Sequence, residues 1–276
     1  MSATTDMVEN IEIELLLEGI FRRYGFDFRH YAPASLKRRV RLCMREEDVD
    51  TVSALQEKIL HDSACMERFL LAMSINVTSM FRDPRFYLAF RENVVPRLRT
   101  FPFIRIWHAG CSSGEEVYST AILLEEEGLY DRARLYATDM NEAVLARATD
   151  GIYPLDSMKE YAANYLKAGG KRSLAEYYTA QYERAIFQGD LKKNIVWAQH
   201  NLATDGSFNE FHVILCRNVM IYFDRELQAR VHKLLYESLA TFGLLGLGDK
   251  ETIKFSPYEA CYEELDSAGK WYRKVR

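Results

Sequence analysis

A short turn bracketed by glycines carries the residues best suited to bind a ligand. The stretch Ile104–Ser119 begins as an apolar run typical of a buried strand and breaks at Gly110-Cys-Ser-Ser-Gly114. Helical spacing then resumes through Val117, Ile122 and Leu123. Strand, turn and helix in this order form a ligand crevice at the carboxyl edge of an open α/β sheet.

The residues after this turn argue against a phosphate ligand. A phosphate-binding loop adds a lysine to its backbone N–H groups, whereas this turn continues with Glu115 and Glu116. Acidic residues at a helix start also offset the helix dipole, an effect of about 0.3–1 kcal/mol, so one interpretation is an ordinary helix start. The other interpretation is that one of these two carboxylates meets a cationic or hydroxyl-rich ligand.

A second acidic residue follows the next predicted strand. Arg134–Asp139 is an apolar strand that ends in Asp139, and Asn141 is predicted to cap the helix that follows. An acid at the tip of the second strand is where such sheets hold a ribose diol. A lone Asp could equally be a helix cap, but its spacing from Gly110, one helix and one turn, favours the ribose interpretation.

Polar residues also follow two later strands. Ile195–Leu202 ends in Asn201 and Leu202, and the buried strand Phe211–Cys216 is followed by Arg217-Asn218. Because the carboxyl ends of parallel strands meet at one edge, these residues are expected at the same crevice.

Composition limits the possible classes of function. The chain has 276 residues, 48% of them hydrophobic, so it can bury a full core; its net charge of −4 argues against general nucleic-acid binding. The five cysteines form no C-x-x-C pair, so we predict neither a disulfide framework nor a metal site. No signal peptide and no run of eighteen apolar residues is found, which predicts a cytoplasmic protein.

The first part of the chain is predicted to be helical, and one helix stands out by its charge. The helix after Pro33 has an apolar stripe and a basic face with five cations in nine positions. One interpretation is a solvated face, and the other is an electrostatic dock for an acidic partner. The docking residues would be Lys37, Arg38, Arg41 and Arg45.

The remaining elements predict an α/β protein with two domains. Asp83-Pro84 is a strong helix start with Asp83 as the cap, and strands and helices alternate from Ile104 onward, which favours a mainly parallel sheet. Residues 151–195 depart from this alternation and predict a small antiparallel insert, with short strands around Gly189-Asp190. Trp271–Val275 is predicted to be the last strand. We therefore expect a helical domain at 1–80 and an α/β domain at 81–276.

Four motifs in this order resemble the chemotaxis-receptor glutamate methyltransferases, the CheR family. They are Asn76-x-Thr-x-x-Phe-Arg82, Gly110-Cys-Ser-Ser-Gly-Glu-Glu-Val-Tyr-Ser119, Ala137-Thr-Asp139 and Cys216-Arg-Asn-Val-Met-Ile-Tyr-Phe223. The resemblance covers nearly the whole chain. It implies a Rossmann-like methyltransferase sheet, an inserted β-subdomain and S-adenosylmethionine as methyl donor, with S-adenosylhomocysteine as product. The acceptor would be a glutamate side chain of a chemoreceptor, which becomes a methyl ester.

The resemblance also implies roles for individual residues. Arg82 and Tyr222 would lie nearest the transferring methyl, Arg82 orienting the acceptor carboxylate. The basic helix would dock the receptor's cytoplasmic signalling domain, so a monomer would reach the membrane only through the receptor. The cofactor pocket would be lined by Asn76, Thr78, Arg82, Gly110, Glu116, Asp139, Asn201, Leu202, Arg217 and Asn218.

The chain departs from the family pattern at three places. Val117 stands where the family usually has proline, and Gly248-Asp-Lys-Glu251 replaces the usual Gly-His-Ser-Glu. The β-subdomain of some members grips a short receptor peptide, but that binding loop has no clear counterpart in Tyr177–Asp190.

The implied chemistry agrees with the residues present. A glutamate carboxylate has a pKa near 4.3, so it attacks a sulfonium methyl without a general base. The protein must instead supply placement, which can contribute on the order of 7–11 kcal/mol.

Other classes of function stay open at this stage. Gly110-Cys-Ser-Ser-Gly114 also matches the G-x-S-x-G elbow of serine hydrolases, with Ser112 as nucleophile and His200, His212 or His232 as its base. A catalytically silent cofactor-binding scaffold in a signalling complex is a further alternative. An RNA methyltransferase is disfavoured by the net negative charge.

Overall fold

The computed structural model describes residues 3–74 and 78–276, with side chains from residue 6 onward. Asn76, one of the predicted site residues, therefore lies outside the described residues. The chain forms two compact units: Met1–Ile75 with Tyr222–Arg230, and Asn76–Ile221 with Val231–Arg276.

The larger unit is built on one seven-stranded sheet, which confirms the predicted α/β class. Its strands, numbered in chain order, are β1 (Ile104–Ala109), β2 (Ala133–Asp139), β6 (Ile195–Gln199), β7 (Phe211–Cys216), β8 (Leu239–Leu247), β9 (Tyr262–Asp266) and β10 (Trp271–Lys274). Their order is β6-β2-β1-β7-β8-β10-β9. Neighbours from β6 to β8 are parallel, while β10 runs antiparallel to both β8 and β9.

The strand order reverses direction between β1 and β7. The chain moves outward from β1 through β2 to β6, then returns to pair β7 with the other side of β1. Both strands are buried almost throughout, which explains their mainly apolar sequences. A reversal of this kind leaves a crevice beyond the carboxyl ends of the two strands, so the turn after β1 and the loop after β7 lie at its edge.

Two helices of this unit begin where they were predicted to begin, but only one of them has the expected side-chain cap. Asn141 caps its helix as predicted, accepting hydrogen bonds from the N–H groups of Ala143 and Val144. Asp83 occupies the N-cap position before Pro84, as predicted, but its side chain makes no capping hydrogen bond and its carboxylate pairs with Arg217. The helices are α5 (Pro84–Ala89), α6 (Val95–Leu98), α7 (Glu115–Glu126), α8 (Glu142–Asp150) and α9 (Met158–Lys167), with a π-helical turn at Phe90–Val94. A further helix, α10 (Arg225–Ser238), begins in the segment assigned to the smaller unit and ends in the larger one.

The predicted antiparallel insert is confirmed, with one correction. Its three strands are β3 (Ile152–Pro154), β4 (Tyr178–Gln181) and β5 (Arg184–Phe187), in the order β3-β5-β4. The turn between β4 and β5 falls at residues 182–183, because Gln181 pairs with Arg184. The prediction placed it at Gly189-Asp190, which instead forms part of a 3₁₀ turn after β5.

The smaller unit is helical, as predicted, and contains α1 (Ala3–Tyr24), α2 (Pro33–Glu46), α3 (Val52–His61) and α4 (Ser63–Met73). Thr51 and Asp62 cap α3 and α4 by accepting backbone N–H groups. In the ranges 3–74 and 78–276, no helix has both the length and the apolar character needed to cross a membrane.

The chain segment 222–230 packs within this helical unit. Ala32 N–H donates to the carbonyl oxygen of Tyr222 at 2.8 Å, and the ring of Tyr31 contacts that of Phe223. His30 Nδ1 lies 3.0 Å from the carboxylate of Asp224. Residues distant in the sequence therefore belong to one helical core.

Candidate cofactor site and basic helix

The turn after β1 depends on a glycine for its shape. Gly110 has φ +79°, and a Cβ there would lie only 2.6 Å from a methyl carbon of Val219 in the loop after β7. Only glycine tolerates both this backbone and this close approach. Tyr153 of β3 donates its hydroxyl to the carbonyl oxygen of Ser113 at 2.8 Å, so the insert also supports the turn.

Asp139, at the end of β2, is held beside this turn by backbone N–H groups. One carboxylate oxygen accepts the N–H of Ser112 at 2.9 Å, and the other accepts the N–H of Asn141 at 3.1 Å. Burial raises the pKa of Asp139, although these N–H groups act in the opposite direction. Each oxygen retains capacity to accept a further hydrogen bond, which fits the two hydroxyl donors of a ribose diol.

An ion-paired cluster joins α7 to the loop after β7. Arg217 places one guanidinium nitrogen 2.9 Å from Glu116 and another 2.9 Å from Asp83. The second nitrogen also donates to the carbonyl oxygen of Arg82 at 3.0 Å, and the guanidinium stacks on Phe86. The Arg217 side chain is only 2% exposed, so these pairings act where water screens little.

His108, on β1, holds the other oxygen of Glu116. Its Nδ1 lies 3.0 Å from that oxygen, and the imidazole is fully buried. Burial acts to raise the pKa of Glu116, but His108 and Arg217 together outweigh it and hold that pKa below its ordinary value. Glu116 is thus an oriented, ionised carboxylate with part of its surface accessible.

Sequence reasoning missed two of these residues. His108 falls inside an apolar strand, where a histidine has no distinguishing pattern, and Tyr153 lies in a stretch rich in tyrosine. Closeness in the sequence was the one signal, since Glu116 comes eight residues after His108, on the first turn of the helix that follows the strand.

The end of β6 lies next to Asp139. The N–H of His200 donates to the Asp139 carbonyl oxygen, and Asn201 and Leu202 follow directly. The Asn201 side-chain oxygen accepts the N–H of Ala203, while Leu202 is buried. Thr78 is partly buried, and no hydrogen bond joins it to this edge within the described part of the chain.

The structure brings most, but not all, of the predicted site residues together. Those at the carboxyl edge of the sheet are Arg82, Gly110, Glu116, Asp139, Asn201, Leu202, Arg217 and Asn218. Tyr222 belongs to the helical unit, where the Arg39 guanidinium lies 4.9 Å from the centre of its ring.

The hydrolase alternative finds no support in the histidines. His200 Nε2 contacts the carbonyl oxygen of Gly206 at 3.0 Å, and His212 Nδ1 accepts the N–H of Arg105 at 2.9 Å. Burial lowers the pKa of His232, which lies on α10 and is enclosed there. Each histidine is engaged away from Ser112, whose N–H is bonded to Asp139.

Within the helical unit, the basic face of α2 is partly neutralised. Glu9 of α1 accepts two hydrogen bonds from Arg41, at 2.6 and 2.7 Å, and lies 2.7 Å from Lys37. Arg38 and Arg45 are exposed and form no ion pair with any residue that the structure describes. Two of the four predicted docking cations are therefore available at the surface.

Two family models cover almost the whole chain. The one described as CheR methyltransferase, all-alpha domain, matches residues 11–74. The one described as CheR methyltransferase, SAM binding domain, matches residues 76–265. The second match alone exceeds half of the chain.

Similar proteins occur in several bacteria. A Pseudomonas putida protein that carries the name methyltransferase Cher3 is 50% identical over 98% of this chain and 99% of its own length. A Listeria monocytogenes protein named chemotaxis protein methyltransferase is 31% identical over 84% of this chain and 86% of its own. A 104.1 kDa protein of Rhodobacter capsulatus is 28% identical over 82% of this chain, which spans only 24% of that protein. The chain belongs to the CheR family and is an S-adenosylmethionine-dependent methyltransferase.

Proposed function

We propose that this enzyme transfers a methyl group from S-adenosylmethionine to glutamate side chains of chemoreceptors, forming glutamyl methyl esters for sensory adaptation. The observation that carries the proposal is the carboxylate-lined edge around Gly110, in a chain whose relatives include proteins named chemotaxis protein methyltransferase. We further propose that the enzyme acts in the cytoplasm as a monomer on the receptor's cytoplasmic signalling domain.

The proposed cofactor pocket lies at the carboxyl edge of the sheet. Asp139 would accept the ribose hydroxyls, because its N–H bonds fix it in an accepting orientation. Glu116 would face the positively charged part of the cofactor, since it is ionised and partly accessible. Gly110 would lie against the cofactor, and the remaining proposed contacts are Asn76, Thr78, Arg82, Asn201, Leu202, Arg217 and Asn218.

The proposed mechanism needs positioning and no proton transfer. Bound S-adenosylmethionine supplies an electrophilic methyl group on a sulfonium. The acceptor carboxylate is ionised at neutral pH, so the residues of the chain must align it and exclude water. Arg82 would orient the acceptor carboxylate through charge-assisted hydrogen bonds, and Tyr222 would orient the acceptor or the donor.

The helical segment 1–80 would hold the receptor while segment 81–276 performs the transfer. Support comes from Arg38 and Arg45, two exposed cations on one helix of a protein with net charge −4. An acidic receptor surface would be attracted to them.

The test is methyl transfer to the organism's own receptors. The protein is incubated with radiolabelled S-adenosylmethionine and membranes that contain the receptors, and the label is then exposed to mild base. Base-labile label on receptors is the expected result. Label on RNA, or base-stable label, would refute the proposal, and cofactor binding without any transfer would favour a silent scaffold.

The role of Arg82 is tested separately by Arg82→Ala. The expected result is a loss of turnover on receptors that is much larger than the loss of cofactor affinity, because the acceptor carboxylate would lose its orienting partner. Normal turnover with unchanged affinity would remove Arg82 from the mechanism. Tyr222→Phe, which deletes only the hydroxyl, tests the second assignment in the same assay.

A further inference from the structure

One buried carboxylate accepts hydrogen bonds from several backbone N–H groups of the loop after β7. The oxygen Oε1 of Glu251 accepts the N–H groups of Val219 and Met220, at 2.9 and 2.8 Å. Its Oε2 accepts the N–H groups of Asn218 and Gly248, at 2.8 and 2.7 Å. Glu251 is 4% exposed, so all four hydrogen bonds form away from water.

The loop has the geometry of an anion-binding concavity. Three successive N–H groups, from Asn218 to Met220, point at one carboxylate, and Asn218 has a left-handed backbone with φ +61°. Successive N–H groups in such a conformation attract an anion. Here Glu251 itself fills the concavity. Burial raises the pKa of Glu251, while the N–H groups favour its charged form.

This carboxylate joins two neighbouring parallel strands at their carboxyl ends. Gly248 follows β8, and Asn218 is the second residue after β7. The missing Cβ of Gly248 is part of the arrangement, because it would lie 2.7 Å from Oε2 of Glu251 and 2.8 Å from the Asn218 nitrogen. Asp249 and Lys250, which depart from the family pattern, are exposed and take no part in these four bonds.

The loop that Glu251 holds carries the edge of the proposed cofactor pocket. Val219 packs at the place where Gly110 lacks a side chain. If this loop shifted, Val219 would therefore press on, or withdraw from, the turn after β1. Arg217, immediately before Asn218, pairs with Glu116. The positions of both the turn and the Arg217–Glu116 pair thus depend on where the loop is fixed.

We propose that Glu251 is a positioning residue for cofactor binding: its carboxylate fixes the loop 217–220 so that Arg217, Asn218 and the turn at Gly110 are preorganised for S-adenosylmethionine. This inference rests on the proposed cofactor pocket. Glu251 acts through the loop, without contact with the methyl group or the acceptor.

The test measures cofactor binding alone. Glu251→Gln replaces one accepting oxygen with an NH₂ group, so two backbone N–H groups lose their acceptor. Titration calorimetry with S-adenosylhomocysteine gives the dissociation constant and the binding stoichiometry separately. We expect the dissociation constant to rise about tenfold or more with unchanged stoichiometry, because lost hydrogen bonds to a charged group weaken preorganisation. A purely structural role would lower the stoichiometry and leave the dissociation constant unchanged.

The matched control is Glu259→Gln, since Glu259 also accepts a backbone N–H, that of Phe255, but is exposed. The Glu259→Gln variant should bind S-adenosylhomocysteine with the same dissociation constant as the wild type. If Glu251→Gln does not fold, Gly248→Ala addresses the same contact, because the added methyl would press on Oε2 of Glu251. A folded variant at either position that binds within twofold of the wild type overturns the proposal.

This experiment separates the inference from the proposed function. No methyl acceptor is present, so an error in the receptor substrate cannot affect it. Failure of the wild type itself to bind S-adenosylhomocysteine would count against the cofactor pocket. Normal wild-type binding with an unaffected Glu251→Gln variant would refute only the role of Glu251.

Discussion

Arg217 and Glu116 form a buried ion pair, 2.9 Å between nitrogen and oxygen, at the edge where the strand order reverses. Arg217 follows β7 and Glu116 lies on the first turn of the helix after β1, so the pair spans the crevice between the two halves of the sheet. Asp83 holds a second nitrogen of the same guanidinium. The pair therefore fixes the spacing of three chain segments at the proposed cofactor pocket.

Replacing Arg217 with methionine should destabilise the enzyme strongly. The variant keeps side-chain bulk but leaves the Glu116 carboxylate buried with His108 as its remaining partner. Breaking a buried pair by removing one partner costs about 3–5 kcal/mol, and we expect a loss of that size in the free energy of unfolding. Urea denaturation followed by circular dichroism measures it. Arg147→Met, at an exposed position of α8, should change this free energy by less than about 0.5 kcal/mol.

Replacing Asp139 with asparagine should weaken cofactor binding with little effect on the fold. The amide oxygen can still accept one backbone N–H, but the NH₂ group faces the other and the negative charge is lost. The dissociation constant of S-adenosylhomocysteine, measured by calorimetry, should rise roughly 10- to 100-fold.

The control for this substitution is Asp190→Asn, an exposed carboxylate in the 3₁₀ turn of the insert. It should bind S-adenosylhomocysteine as the wild type does. Equal affinity of Asp139→Asn and the wild type would mean that Asp139 holds the turn without touching the ribose.

The fold could be predicted where each element has its own local signal. The apolar runs of β1 and β7 and the cap at Asn141 needed no knowledge of distant contacts. The strand β9 was missed, because Tyr-Glu-Glu-Leu-Asp has no apolar alternation; this strand lies at the edge of the sheet and none of its residues is fully buried.

The candidate site shows the limit of such local signals. Asp83 has a typical capping sequence, Asp-Pro, yet its carboxylate is held by Arg217, which lies 134 residues further along the chain. In the sequence, Glu251 stands out only because Asp249 and Lys250 before it depart from the family pattern. Its four N–H partners come from two loops, after β7 and after β8. A contact between distant segments produces no characteristic residue spacing in the sequence. The partners of these carboxylates could therefore be identified only from the structure.

The stabilisation that Glu9 provides between α1 and α2 should be lost at acid pH. The Arg41 hydrogen bonds, followed by those of Lys37, lower the pKa of Glu9 from 4.5 to about 2. Because the folded-state pKa is depressed, the stabilisation is fully present above about pH 5 and is lost as the pH falls towards about 2. The midpoint of thermal unfolding of the wild type should exceed that of Glu9→Gln at neutral pH, and the difference should vanish near pH 2.

The control on the same helix is Glu14→Gln, because Glu14 is exposed and forms no ion pair with any residue that the structure describes. The midpoint of this variant should follow that of the wild type at every pH. A difference between wild type and Glu9→Gln that persisted unchanged at pH 2 would show that the ion pairs are not its source.

The exposed cations of α2 should control the affinity for the receptor and leave the chemistry unaffected. In Arg38→Gln/Arg45→Gln the two guanidinium groups are lost, while Lys37 and Arg41 keep their bonds to Glu9, so the helix pairing is preserved. Removing charges at the rim of an interface mainly slows encounter and flattens the salt dependence. KM for the receptor should rise about 3- to 10-fold at low salt, with kcat and the affinity for S-adenosylhomocysteine unchanged.

The control is Arg147→Gln/Lys159→Gln, which removes the same charge from exposed positions on α8 and α9 and should leave KM unaltered. An equal rise in KM for both double variants would indicate that net charge, and not the α2 face, attracts the receptor.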